Sequence, residues 1–209
     1  IELEKARADG LLLSMLPEMV IKRLAAGEKV IADRFEAATI IFADIVDFTP
    51  MVARTDPSEL ISLLHNLFSA FDALADKHGI EKIKTVGDAY MAVAGVPNPQ
   101  ADHADRAVEF ARGLIDVMSD GFGTAGPLKL RVGLNSGPVI GGLIGQKRFV
   151  YDVWGETVNL ASRLESSGVS GRIQISQATL SALAKPPAKV RAKNSHIKGV
   201  GKMQTFLLD

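Results

Sequence analysis

The stretch Ile40-Ile-Phe-Ala-Asp-Ile-Val-Asp-Phe-Thr49, together with Lys84-Thr-Val-Gly-Asp-Ala-Tyr-Met91, decides how this sequence folds. The first stretch predicts a buried strand over residues 38–45, and the second predicts a tight turn between two strands. Asp44 and Asp88 each lie at the end of an apolar segment. Taken singly, they also fit a helix cap and a turn residue. In neighbouring strands the two carboxylates would repel each other without a cation. The pair therefore predicts a site for two divalent metal ions, of the kind that supports phosphoryl or nucleotidyl transfer.

Alternating helical and extended patterns around these stretches predict an α+β fold. Apolar residues at helical spacing follow Asp56-Pro57 and stop at Gly79, which indicates a long helix. The predicted elements are a strand at residues 38–45, a helix at 57–78, strands at 81–86 and 89–94, a helix at 104–118 and a strand at 128–135. This order matches the ferredoxin-like βαββαβ core, an antiparallel sheet with helices on one face.

The sequence after residue 135 elaborates this core. Its glycine-rich part, residues 137–145, predicts a pair of short extended segments that turn back toward residues 149–153. The remaining predicted elements are a helix at residues 155–167, strands at 172–175 and 204–208, and a loop at 185–187.

The first 34 residues are predicted to form a helical linker that precedes a main domain at residues 35–209. Pro17 is suited to open a helix over residues 18–26, because its missing N–H is tolerated at a first helical position. Apolar residues at helical spacing form a stripe: Leu12, Leu16, Met19, Val20 and Leu24. The stripe fits either a helix packed on its own domain or a short parallel coiled coil that carries a signal into a dimer. Because the chain begins at Ile1 within a helical pattern, we expect an upstream sensor or membrane region in a longer protein.

Composition excludes several classes of function. Lysine plus arginine equals aspartate plus glutamate, at 24 each, so no overall field attracts nucleic acid or an anionic membrane. The chain has no cysteine, which rules out disulfides and thiolate metal sites and fits a reducing, cytoplasmic location. The four histidines lie far apart and lack the spacing of a zinc site. No apolar run approaches the roughly 18 residues that span a bilayer.

A second group of polar residues lies in Tyr151-Asp-Val-Trp-Gly-Glu-Thr-Val-Asn-Leu-Ala-Ser-Arg163. Asn159 and Arg163 are four residues apart and share a face if this segment is helical, while Asp152 precedes the helix. The amide can hold a sugar oxygen, and the guanidinium can grip a phosphate. A purely structural interpretation stays open, in which Arg163 pairs with Glu156 or Asp152 on the surface.

Four motifs of this chain resemble the catalytic domain of the class III nucleotidyl cyclases. They are Phe42-Ala-Asp-Ile-Val-Asp-Phe-Thr49, Lys82-Ile-Lys-Thr-Val-Gly-Asp-Ala-Tyr90, Leu130-Arg-Val-Gly-Leu-Asn-Ser-Gly137 and the segment from Tyr151 to Arg163 quoted above. The resemblance extends from about Phe35 to the carboxyl terminus, so residues 35–209 would be the cyclase catalytic domain. It implies a ferredoxin-like core in a head-to-tail homodimer, with two active sites at the interface that are each built from both chains.

On this resemblance, one chain supplies the metal side of each active site. Asp44 and Asp88 resemble the metal-binding aspartates, and the carbonyl of Ile45 resembles a further metal ligand. Arg131 resembles the arginine that contacts the phosphates of the nucleotide from the same side. The implied cofactors are two divalent metal ions, Mg²⁺ or Mn²⁺.

The other chain of the implied dimer supplies the side that holds the base and the ribose. Lys84 and Asp152 resemble the pair that reads adenine. Asn159 resembles the residue that orients the ribose, and Arg163 resembles the one that stabilises charge on the reacting α-phosphate. Lys198 resembles the lysine that binds the triphosphate.

The residues at the base edge imply that the substrate is ATP. Adenine offers a donor at its exocyclic amine and an acceptor at N1, which Asp152 and Lys84 can meet. Guanine reverses both groups, and guanylyl members of the family tend to carry glutamate and cysteine at these positions. The predicted activity is an adenylate cyclase in signal transduction, which converts ATP to 3′,5′-cyclic AMP and pyrophosphate. The alternatives are a guanylate cyclase and a non-catalytic, nucleotide-sensing dimerisation module.

Overall fold

A computed structural model of the chain describes residues 10, 13, 15–121, 128–145, 148–185 and 187–208. Within these residues the strands are β1 Ala32–Ile45, β2 Glu81–Val86, β3 Ala89–Ala94, β4 Leu130–Ile144, β5 Val150–Trp154, β6 Arg172–Ile175, β7 Val190–Ile197 and β8 Gly201–Leu208. The helices are α1 Glu18–Ala25, α2 Phe48–Val52, α3 Pro57–His78, α4 His103–Asp120, α5 Glu156–Ser166 and α6 Gln177–Ala182.

The strands form one sheet in the order β2-β3-β1-β4-β6-β8-β7, and β5 pairs with β4 outside this path. β4 and β6 are parallel, whereas the other paired strands are antiparallel. The order β2-β3-β1-β4, with α3 following β1 and α4 following β3, is the ferredoxin-like arrangement that the sequence predicted. The predicted α+β fold is confirmed.

Both faces of the sheet are covered. Alternate residues of β1 point to opposite faces, so this strand contributes to a hydrophobic core on each side. Ile41, Ala43 and Ile45 pack with α3 and α4 in one hydrophobic core. Ala38 and Ile40 belong to a second core, which includes residues of α1 and α5. Each fully buried large apolar side chain stabilises the fold by about 2 kcal/mol. This burial holds the end of β1 in place, and that end carries the first site aspartate.

The glycine-rich residues 137–145 do not form the pair of short segments that the sequence predicted. β4 runs through residues 130–144 without interruption and then pairs with β5. Gly141 and Gly142 serve close packing, whereas Gly145, with a φ of 102°, follows the end of β4. A Cβ at Gly141 would lie 2.6 Å from the hydroxyl oxygen of Tyr151, and one at Gly142 would lie 2.8 Å from a backbone carbonyl oxygen. The prediction of two separate segments was wrong, because glycine permits close backbone approach as well as turns. The predicted turn back toward residues 149–153 is confirmed by the pairing of β4 with β5.

Several elements differ from the sequence prediction in their bounds or their presence. β1 begins at Ala32, so the predicted boundary at residue 35 falls inside this strand. The helices α2 and α6 and the strand β7 were not predicted. β8 begins at Gly201, three residues before the predicted start. Short helices and an outer strand carry weak periodic signals, and their formation depends on the rest of the sheet.

The helix α1 lies against the domain. Val20 is buried in the second core, and Arg23 forms ion pairs with Glu28, at 2.5 Å, and with Asp33 at the start of β1. Most of residues 1–16 of the predicted helical linker, including Leu12, lie outside the described residues. The coiled-coil interpretation of that segment stays a prediction. In the part of the chain that the structure describes, no helix has the length and apolar character needed to cross a membrane.

Candidate active site

The end of β1 places a carboxylate beside a guanidinium. Asp44 is the second-last residue of β1, and the strand register sets it opposite Arg131 on β4. Residues opposite each other in an antiparallel pair share a face of the sheet. Arg131 Nη2 donates to Asp44 Oδ2 at 2.8 Å, and both side chains are partly exposed. Two residues that were predicted for the metal side therefore lie together.

The turn between β2 and β3 brings Asp88 to the same region. The register pairs Tyr90 with Ala43, so this turn lies beside the last residues of β1. Gly87 has a φ of 63°, a left-handed conformation that favours glycine. Burial, and then the nearby Asp44 carboxyl, raise the pKa of Asp88 to about 6. The two carboxyls are thus close enough to oppose their joint ionisation, which a divalent cation would relieve.

Oxygen donors at this edge of the sheet suit hard divalent cations. Asp44 and Asp88 offer carboxylates, and Ile45, the last residue of β1, offers the predicted backbone carbonyl. Among the described residues, no group of three or more His, Cys, Asp or Glu is placed to hold a metal alone. Water and substrate oxygens would therefore complete the coordination of Mg²⁺ or Mn²⁺, as is common for Mg²⁺ sites.

Glu165 on α5 adds a second carboxylate to Arg131, and the sequence did not predict it. Its Oε1 accepts a hydrogen bond from Arg131 Nε at 3.1 Å, and its side chain is 9% exposed. Burial, and then Asp44, raise the pKa of Glu165. Burial lowers the pKa of Arg131, but the hydrogen bonds to Asp44 and Glu165 outweigh it, so that pKa is raised. No local sequence signal marked Glu165, because its burial, and with it the need for a cationic partner, arises only when α5 packs on the sheet.

Lys84 and Asp152 form an ion pair between two strands that are not partners in the sheet. Lys84 lies on β2 and Asp152 on β5, and Nζ lies 2.5 Å from Oδ2. The other carboxylate oxygen of Asp152 accepts from the N–H of Val153 at 2.9 Å. Asp152 is buried, whereas the lysine side chain is 40% exposed. A donor and an acceptor thus stand side by side, in the pattern that complements an adjacent acceptor and donor on a base edge.

The outer face of α5 carries Asn159 and Arg163, as their spacing predicted. Asn159 is exposed, and its Nδ2 lies 3.4 Å from Glu156 Oε1. Within the described residues Arg163 forms no ion pair, and Asp152 is paired with Lys84 instead. The structural alternative, in which Arg163 pairs with Glu156 or Asp152, is therefore not observed. The guanidinium is available to a ligand.

The turn between β7 and β8 lies against Arg163. Gly199 in this turn has a φ of +74°, and a Cβ there would lie 3.2 Å from Arg163 Nη1. The exposed Lys198 immediately precedes Gly199. Glycine thus lets the turn approach the guanidinium and brings the backbone of Lys198 near the predicted phosphate-binding arginine. Sequence reasoning missed Gly199, because its contact lies far away in the sequence.

The predicted site residues form separate groups on one chain. The first group contains Asp44, Ile45, Asp88 and Arg131, and the second contains Lys84, Asp152, Asn159, Arg163 and Lys198. Among the described residues, no side-chain hydrogen bond or ion pair joins the two groups. One chain therefore presents two partial sites.

Comparison with known proteins relates these partial sites to one family. The Adenylate and Guanylate cyclase catalytic domain family matches residues 30–209. An adenylate cyclase of Mycobacterium tuberculosis (strain ATCC 25618 / H37Rv) is 43% identical over 209 residues, which cover 99% of this chain and 47% of that protein. The guanylate cyclase soluble subunit beta-2 of Rattus norvegicus is 40% identical over 211 residues, which cover 99% of this chain and 31% of that protein. The chain thus spans less than half the length of these two curated relatives.

A solved structure with the same fold carries a nucleotide analogue. It is the catalytic core of a rhodopsin-guanylyl cyclase with converted specificity in complex with ATPalphaS. The two structures align with a TM-score of 0.79 and 39% sequence identity, over 84% of this chain and 96% of the other. The relatives include adenylyl and guanylyl enzymes, so the residues at the base edge must distinguish the two substrates.

Proposed function

We propose that this chain, which belongs to the adenylate and guanylate cyclase catalytic domain family, converts ATP to 3′,5′-cyclic AMP and pyrophosphate. The observation that carries the choice of ATP is the ion pair between Lys84 and Asp152, with Nζ 2.5 Å from Oδ2. The ammonium would donate to N1 of adenine, and the carboxylate would accept from the exocyclic amine. Guanine reverses these groups and would leave the buried Asp152 facing an acceptor.

A head-to-tail homodimer would complete the two partial sites of each chain. One solved relative is a dimeric guanylyl cyclase domain of the RhoGC fusion protein from Blastocladiella emersonii, and another, from Catenaria anguillulae, is in complex with GTP. In this chain, the cross-strand pairs Ile140–Trp154 and Ile144–Val150 lie on the ribbon of β4 and β5, and all four side chains are exposed. An exposed apolar patch of this kind is typical of a protein contact. Dimerisation would set the metal side of one chain against the base side of its partner and form two sites.

The proposed reaction is an in-line attack of the ATP 3′-hydroxyl on the α-phosphorus. The new P–O bond closes the cyclic ester, the bond from the α-phosphorus to the bridging oxygen breaks, and pyrophosphate leaves with the electron pair. Water or the substrate takes the hydroxyl proton, since none of the described site residues is positioned as a clear side-chain base. Divalent ions held by Asp44, Asp88 and the Ile45 carbonyl would acidify the 3′-hydroxyl and offset charge on the triphosphate.

Residues from both chains would position the nucleotide for this step. Arg131, which is held by two carboxylates, would contact the phosphates from the metal side. From the second chain, Arg163 would stabilise charge that develops on the α-phosphate, Asn159 would orient the ribose and Lys198 would bind the triphosphate. Charged groups that the fold already holds in place stabilise a transition state without reorganisation.

The context of the domain is also part of this proposal. We expect that an upstream sensor or membrane region regulates the cyclase in signal transduction; the chain covers 47% of the mycobacterial relative. A cytoplasmic catalytic domain would have access to ATP.

The alternative of a non-catalytic, nucleotide-sensing module is disfavoured, because the chain carries a residue for each role that the family resemblance implies. The balanced overall charge gives no support for a nucleic-acid partner.

Assays with ATP and GTP, each with Mg²⁺ or Mn²⁺, test the substrate. We expect kcat/KM for ATP to exceed that for GTP by about 10²-fold or more. The double variant Lys84→Glu with Asp152→Cys should shift the preference toward GTP. A matched charge reversal on the exposed end of α3, Lys77→Glu, should keep the preference for ATP. Equal turnover of both triphosphates by the unmodified chain would contradict the assignment, and turnover of neither would favour the dimerisation module.

A further inference from the structure

We infer that Glu165 is a positioning residue that holds Arg131 of its own chain, and that it serves a different active site from Arg163 on the same helix. This inference rests on the proposed cyclase function and its shared sites. The helix α5 would then contribute to two active sites, one from each of its faces.

The contact between Glu165 and Arg131 is buried and directional. Glu165 Oε1 accepts from Arg131 Nε at 3.1 Å, and Ser166 Oγ lies 3.2 Å from Glu165 Oε2. The glutamate side chain is 9% exposed, whereas that of Arg131 is 34% exposed. The carboxylate therefore anchors the guanidinium from inside, while the guanidinium keeps an open side toward the metal region.

The backbone of α5 is seated directly on β4 beside this contact. A Cβ at Gly133 would lie 2.2 Å from the backbone nitrogen of Glu165 and 2.6 Å from the carbonyl oxygen of Ala161. Only a residue without a side chain allows the helix to come this close to the strand. Gly133 is two residues from Arg131 on the same face of β4, so the distance between Glu165 and Arg131 is set by backbone packing.

Arg131 would lose one of its two carboxylate partners when the site is loaded. Asp44 is a predicted metal ligand, and its oxygen now lies 2.8 Å from Arg131 Nη2. Glu165 binds a different atom, Nε, and is not among the predicted metal ligands. Glu165 would thus keep the guanidinium anchored while its Nη groups turn from Asp44 to the phosphates.

Glu165 and Arg163 serve different sites because they point to different sides of α5. Residues two apart on a helix are separated by about 200°. Glu165 is buried against Arg131, whereas Arg163 lies on the outer face beside Gly199. In the proposed dimer, one chain would supply Arg131 to one site and Arg163 to the other. The helix would therefore link the two active sites through its own rigid backbone.

Mixed dimers separate these two roles. A chain with Arg163→Ala and a chain with Asp44→Ala together form one intact site, in which the Arg163→Ala chain supplies the metal side. Adding Glu165→Gln to the Arg163→Ala chain should lower kcat/KM of this site by about 10-fold or more. Adding it to the Asp44→Ala chain should change kcat/KM by less than about 2-fold, since that chain supplies only Arg163 and the base side.

Two further variants make the result interpretable. Glu109→Gln, an exposed carboxylate on α4, removes the same charge away from the site and should have no effect in either chain. Glu165→Asp keeps the charge and should restore part of the activity. It also replaces Glu165→Gln if that variant does not fold, and it should show the same asymmetry with a smaller loss.

Equal losses in the two arrangements would overturn the inference, because they would mean that Glu165 only supports the helix. No loss in the Arg163→Ala chain would overturn it as well. An inactive parent pair, without any change at Glu165, would instead contradict the proposed shared site, and the inference would fall with it.

Discussion

The two charged clusters of this chain differ in how their charges balance. Near Arg131, three carboxylates from Asp44, Asp88 and Glu165 face one guanidinium. Between β2 and β5, one lysine meets one aspartate. The first cluster has an excess of negative charge that divalent cations, and with them phosphates, can balance. The second cluster is neutral, and its lysine and aspartate can replace their mutual ion pair with hydrogen bonds to the edge of a base. The difference supports the proposal that the first cluster carries the chemistry and the second the selectivity.

Removing a carboxylate from the first cluster should have the largest effect. Asp44→Ala or Asp88→Ala should abolish cyclisation, with a loss in kcat/KM of about 10³-fold or more, because the metal ions lose a charged ligand. Initial rates of cyclic AMP formation measure the loss, and size-exclusion chromatography should show an unchanged dimer. Asp47→Gly is a matched control, since Asp47 has a φ of 60° and makes no side-chain capping hydrogen bond. Full activity in Asp44→Ala or Asp88→Ala would sink the metal assignment.

Mixing two inactive chains tests whether the two clusters meet across an interface between chains. Asp44→Ala removes the metal side, and Arg163→Ala removes a residue of the base side. Random pairing yields one intact site in half of the dimers, so about a quarter of the unmodified activity should return. If mixed dimers form but stay inactive, the two clusters do not meet across an interface between chains.

The hairpin that carries Lys84 and Asp88 was predictable from local sequence alone. Gly87 supplies a left-handed turn, the flanking segments favour strands, and the bounds of β2 and β3 agree with the prediction. The same holds for Asn159 and Arg163, because a spacing of four residues on a helix fixes a shared face. Local rules suffice where a residue's neighbours in space are also its neighbours in sequence.

The rest of the site depends on contacts between distant residues. Glu165 looks like an ordinary polar helix residue until α5 packs on Gly133 and buries the carboxylate against Arg131. Gly199 has no local signal for its contact with Arg163, which exists only after β7 and β8 have joined the sheet. The resemblance to a known family could name Arg131 and Arg163, but not the residues that hold them in place.

Arg163 tests the division between the two clusters, because it belongs to the base side yet is expected to act on the reaction. Arg163→Ala should lower kcat by about 10²-fold with a smaller change in KM for ATP, since charge develops on the α-phosphate in the transition state. Steady-state kinetics with ATP measure both parameters. Arg112→Ala, on the exposed face of α4, is the matched control. A raised KM with unchanged kcat would limit Arg163 to substrate binding.

The smallest expected effect concerns Glu81, a carboxylate on the same strand as Lys84. It lies on β2, three residues before Lys84, and within the described residues it forms no ion pair. Burial, and then Asp76, raise the pKa of Glu81 from 4.5 to about 7. A raised pKa means that the folded chain keeps a proton that the unfolded chain releases. The contribution of Glu81 to stability is therefore fully present below about pH 4.5 and is lost as the pH rises through about 7.

Glu81→Gln should remove this loss. The free energy of unfolding from urea denaturation should exceed that of the unmodified chain by about 1 to 2 kcal/mol near pH 8, and the difference should shrink toward zero near pH 5. Glu59→Gln, an exposed carboxylate at the start of α3, should show no such trend. A difference that stays constant with pH would mean that Glu81 is ionised throughout. A difference that grows with pH would show that Glu81, on the same strand as Lys84, is neutralised by a proton, whereas Asp152 is paired with the lysine itself.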